Sequence, residues 1–111
     1  MPIVTIKAHP NGNIDYKPGL LRTQRLRKVQ WRCKEGPFLV SFLEATPFGD
    51  AGAEFEGNVV SGDFFETEEV QIDEEAEFRG YHYAVVIVMT LEGDEAKIVL
   101  NAGCPEVRVD P

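Results

Sequence analysis

A chain of 111 residues, 43% of them hydrophobic, is long enough for one domain with a modest core and too apolar for a disordered segment. Its net charge of −8 and pI near 4.7 set it against a phosphate backbone, which counts against nucleic-acid binding. No apolar run approaches the roughly 20 residues that span a membrane, so no membrane role is expected; the longest run is Ala84 to Met89.

Strand signals dominate in chain order. Ile3 to Ala8 reads as a first strand, and Pro10-Asn11-Gly12-Asn13 as a turn in which Gly or Asn supplies a positive φ. Pro18-Gly19 is a second break. Arg27 to Lys34 alternates: Val29, Trp31 and Cys33 share one face, while Lys28, Gln30, Arg32 and Lys34 share the other. That is a strand with one wet face. Gly36-Pro37 interrupts the chain, and Phe38 to Leu43 forms the next strand, with Phe38, Val40 and Phe42 on one face.

Glu44 to Gly62 reads as a long irregular connection, with a short strand at Asn58-Val59-Val60 and with Phe48, Phe55, Phe64 and Phe65 available to pin it to the body. A loop of that length is often functional. Glu68 to Asp73 is a strand with Val70 and Ile72 inward. Tyr81 to Leu91 carries the strongest pattern: Tyr81, Tyr83, Val85, Ile87, Met89 and Leu91 on one face, and Ala84, Val86 and Val88 on the other. Its middle is therefore expected to be covered on both sides. Glu92-Gly93-Asp94 is a hairpin turn, Ala96 to Leu100 returns antiparallel, and Val107 with Val109 closes a final strand. Seven or eight short strands without a helix suit a single all-β domain, a Greek-key β-sandwich spanning residues 1–111.

Charge is unevenly spread. Arg22, Arg25, Arg27, Lys28, Arg32 and Lys34 put six of the eleven basic residues within thirteen positions. From Glu35 to Phe78 there are thirteen acids and no Lys or Arg. The basic segment has two readings. One is the solvent face of a strand, whose cations blunt edge pairing. The other is a docking face for an acidic protein partner, or for head-to-tail self-association with the acidic region of a second copy.

The order of these features resembles the cupredoxin family. Val29-Gln30-Trp31 followed by Gly36-Pro37-Phe38-Leu39-Val40-Ser41-Phe42 is similar to the family's V-x-W strand and P-H-x-V-x-F segment. Gly80-Tyr81-His82-Tyr83-Ala84-Val85 is similar to the G-x-Y-x-Y-x-C segment that leads into the copper loop. Cys104-Pro105-Glu106-Val107-Arg108-Val109 is similar to the closing strand of copper-free relatives. The resemblance implies a cupredoxin-like sandwich; an immunoglobulin-like sandwich is the alternative. It also implies that Phe38 stands where the family has a histidine ligand and Val85 where it has the cysteine ligand. Blue copper needs two imidazoles and a thiolate, so no copper cofactor is expected.

Other chemistry finds little purchase. A rearranged metal or redox site would draw on His9, His82, Cys33, Cys104 and Met89, but these lack the tight spacing of C-x-x-C or H-x-x-x-H. Ser41 and Ser61 lie outside any G-x-S-x-G elbow. Asp73-Glu74-Glu75-Ala76-Glu77 lacks the D-x-D-x-D-G calcium pattern and reads as a solvated acidic turn. The two cysteines, Cys33 and Cys104, are expected as reduced thiols, with a disulfide between them as the alternative. Met1 leads into Ile3-Val4-Thr5-Ile6 without a basic or apolar leader, so the expected compartment is the cytoplasm, or a secreted or periplasmic one had a leader been trimmed. The expected function is that of a non-catalytic, copper-free interaction module or accessory subunit, and the alternative is a metal-binding or redox protein with a rearranged site.

Overall fold

A computed structural model describes residues 2–91, 93, 95–100 and 105–111. Twelve strands follow one another: β1 (Ile3–Ala8), β2 (Ile14–Lys17), β3 (Leu20–Gln24), β4 (Lys28–Cys33), β5 (Phe38–Phe42), β6 (Glu54–Gly57), β7 (Val59–Ser61), β8 (Phe64–Glu66), β9 (Val70–Gln71), β10 (Gly80–Thr90), β11 (Ala96–Leu100) and β12 (Glu106–Asp110). A single 3-10 turn at Gly49–Ala51 precedes β6. The first sheet runs β2-β1-β4-β8-β7, with β9 also on β4; the second runs β3-β12-β10-β5-β6, with β11 also on β10. Two pairings are parallel, β1 with β4 and β3 with β12. The fold is thus an all-β sandwich of two packed sheets.

Twelve strands replace the expected seven or eight for a physical reason. Several are only two to four residues long, too short for alternation to mark them in the sequence. Ile14–Lys17 and Leu20–Gln24 flank Pro18-Gly19, whose break hid both. The connection from Glu44 to Gly62 is not irregular throughout: it carries the 3-10 turn, β6 and β7. It changes sheets at Asn58, since β6 pairs β5 and β7 pairs β8.

The core is built on Trp31, which is fully buried. Phe55 stacks on its indole at 6.2 Å between ring centroids, and Tyr83, Phe42 and Phe48 meet it edge-on at 5.5, 6.0 and 6.0 Å. Each such ring buried stabilises the domain by about 1.5–3 kcal/mol through area alone, and edge geometry adds to that. Val4, Ile6, Val29, Val40, Val85, Ile87 and Val107 complete the layer between the sheets. Phe48 and Phe55 therefore do pin the long connection to the body, whereas Phe64 lies on the outside.

The pattern of β10 is one-sided. Tyr81, Tyr83, Val85, Ile87 and Met89 are buried, but Val88 is 40% exposed and Ala84 and Val86 are only partly covered. The expectation of cover on both faces fails because, among the described residues, no layer lies outside the second sheet. Gly36 explains how β10 meets the start of β5: a Cβ there would collide with the Val88 carbonyl, so only glycine allows the backbones this close.

Candidate protein-docking faces

Alternation along β4 sends Val29, Trp31 and Cys33 into the core, which forces Lys28, Gln30 and Arg32 outward. Parallel pairing with β1 places Thr5 beside Arg32, and antiparallel pairing of β1 with β2 places Lys17 beside Thr5 and Asp15 beside Lys7. The outer face of the first sheet therefore collects Lys7, Lys17, Lys28, Arg32 and Lys34. Acids also lie on it: Asp15 stands opposite Lys7 and Glu66 opposite Arg32, and Asp15 is bound to His9 at 2.7 Å. Arg32 is held in place: its Nε donates to Thr5 Oγ1 at 2.9 Å, and its guanidinium lies 4.2 Å from the Phe64 ring centroid. The Lys34 ammonium lies 5.2 Å from the same ring. Contacts of this kind fix the direction of a cation without neutralising it.

The six-residue basic segment is not one surface. Arg22 belongs to the second sheet, where it pairs with Asp110 at 3.3 Å. That pair continues into a ladder of alternating sign: Arg108 Nε to Asp110 at 3.6 Å, Arg108 to Glu106 at 4.0 Å, and His82 to Glu106 at 3.0 Å. Arg25 is structural, donating to the Ala76 carbonyl at 2.8 Å and covering Phe78 at 4.0 Å. Arg27 sits exposed in the turn between β3 and β4. Only Lys28, Arg32 and Lys34 stay together, and Lys7 and Lys17 join them from strands far off in sequence. Nothing within the basic segment signals those two; the register of β1 against β4 does.

The residues considered for a metal do not converge. His9 lies on the first sheet's side and His82 on the outer face of the second, while Cys33 and Met89 are buried core residues. Cys104 lies outside the described residues. Among the described residues, no group of three or more His, Cys, Asp or Glu side chains is arranged to hold a metal ion. Burial pushes the Cys33 thiol above its ordinary range, which keeps it protonated and unreactive. Phe38 and Val85 occupy neighbouring antiparallel strands, with Phe38 opposite Ile87 and Val85 opposite Val40, and both face the core. Neither side chain carries a donor atom. The acidic turn from Asp73 is ordered by its own bonds, with the Ala76 N–H donating to the Asp73 carbonyl at 3.2 Å.

Comparison with protein-family models, curated proteins and solved structures returns no match. Besides the basic face, a second surface stands out on the outside of the second sheet: Val88, Ile98 and Leu100 are exposed at 40%, 70% and 67%, and β11 pairs only with β10 among the described residues. The alternation of Ala96 to Leu100 hints at this strip, since Ile98 and Leu100 share parity.

Proposed function

We propose that this domain is a non-catalytic interaction module, a copper-free cupredoxin-like sandwich that docks an acidic protein surface. The observation that carries the reading is the outer face of the first sheet. Lys7, Lys17, Lys28, Arg32 and Lys34 gather there in a molecule whose net charge is −8. Against that background, a predominantly basic face works as a local steering field, speeding encounter with an acidic patch and setting its orientation. The cupredoxin-like reading is supported by the placement of Phe38 and Val85 on adjacent strands of one face, as two ligands of a shared site would be. Side chains without donor atoms at both places fit a role other than copper electron transfer.

The test is a charge reversal at three exposed lysines that make no described ion pair: Lys7→Glu, Lys28→Glu and Lys34→Glu. The triple variant is expected to keep the parent unfolding curve to within about 1 kcal/mol. It is expected to lose a salt-sensitive partner that the parent retains. An undiminished partner with the same salt dependence contradicts the reading.

A further inference from the structure

Three strand edges without a second partner border one groove. Among the described residues, β6 bonds only to β5, β7 only to β8, and β9 only to β4. Between them lies a groove of about 470 Å³, with Phe55 and Val70 among its apolar lining and Glu54, Glu56, Glu68 and Glu69 exposed around it. No Lys, Arg or His lines it. We propose that this groove takes an extended peptide segment bearing lysine or arginine, which adds as a strand to the free edge of β6.

Two independent features fix the occupant. The unpaired backbone edge of β6 offers N–H and C=O groups in the spacing that a strand, and not a compact ligand, satisfies. The carboxylates choose the sign. Glu54 and Glu56 alternate onto one face of β6, so an added strand with basic side chains two residues apart meets them in register. The same carboxylates exclude a second copy pairing edge to edge through β6, because Glu would oppose Glu. This surface shares no lining residue with the basic face of the first sheet, although Gln71 on its rim stands opposite Lys28.

Isothermal titration tests it with three synthetic ten-residue probes: an alternating Lys-Thr peptide, the same peptide N-methylated at alternate residues, and a Glu-Thr counterpart. Methylation keeps the charge and blocks strand pairing. The Lys-Thr peptide is expected to bind, weakening at high salt, while the Glu-Thr peptide does not bind and the methylated one binds about tenfold or more weakly. A Glu54→Gln, Glu56→Gln, Glu68→Gln, Glu69→Gln variant with an unchanged unfolding curve is expected to lose about tenfold in affinity. Binding by a Lys7→Glu, Lys34→Glu variant, which leaves Lys28 opposite Gln71 untouched, is expected to match the parent, which separates this site from the docking face. The proposal is overturned by no binding, by equal binding of the methylated peptide, by undiminished binding to the glutamine variant, or by self-association that occupies the groove without peptide.

Discussion

Neighbouring residues of β10 allow the one-sided burial of the second sheet to be measured directly. Ile87 is fully buried between the sheets, and Val88, next in the chain, is 40% exposed on the outside. Ile87→Ala removes three carbons, worth about 2.4 kcal/mol at about 0.8 kcal/mol each. The cavity left in a core that relaxes only partly raises the cost to about 3–4 kcal/mol. Val88→Ala removes two carbons that are already partly wet, costing about 1 kcal/mol at most. Urea unfolding followed by fluorescence reads both, because Trp31 is the only tryptophan and is fully buried. At a slope of about 1.5 kcal/mol/M, the midpoint falls by about 2–2.7 M for Ile87→Ala and by about 0.7 M at most for Val88→Ala. Equal losses at the two positions would mean that β10 is covered on both faces, and would refute the assignment of inner and outer sides.

Four further outcomes are expected. Gly36→Ala should cost about 2 kcal/mol or more in the same urea assay, since its Cβ meets the Val88 carbonyl and backbone must move; a neutral result would show that β5 and β10 are not held this close. Leu26 has φ 68° in the turn before β4, a conformation costing a non-glycine residue about 1–2 kcal/mol, so Leu26→Asn should stabilise by up to about 1 kcal/mol, and a lower midpoint would contradict that turn. Burial pushes Tyr83 up to about 12; below pH 10 the folded and unfolded states both hold this proton, whereas above it only the folded state does, so stability should fall by about 2–3 kcal/mol between pH 10 and 12, and a flat profile over that window would contradict its burial. In a Cys104→Ser background, Cys33 should resist a thiol reagent until urea unfolds the domain; fast labelling in native buffer would place it at the surface.

Much of the fold was legible because the longer strands alternate. Val29, Trp31 and Cys33 on β4, and Tyr81 to Met89 on β10, announce an inner face that the structure keeps. Short strands were less legible: two to four residues give alternation no room, and Pro18-Gly19 reads as a loop although strands flank it. The outer side of β10 misled because Ala84, Val86 and Val88 are as apolar as core residues, and composition cannot say whether a further layer exists. The docking face was half legible. Lys28 and Arg32 share parity on β4 and Lys34 continues it just past the strand's end, but Lys7 arrives through the parallel pairing of β1 with β4 and Lys17 through the pairing of β2 with β1, registers that local pattern does not contain. Arg22 and Arg25 were drawn away by partners 88 and 51 residues off in sequence, Asp110 and the Ala76 carbonyl. The acidic groove is likewise assembled from two separate stretches, Ala51 to Val59 and Glu68 to Gln71.

The most direct test of the docking face is an affinity capture from host lysate at low and high salt, run side by side on the parent and on the Lys7→Glu, Lys28→Glu, Lys34→Glu variant, with elemental analysis of the same samples. An acidic partner held by the parent at low salt, released at high salt and lost from the variant, without stoichiometric metal, is the expected result. Capture unchanged in the variant, or stoichiometric copper or zinc with no partner, would contradict it.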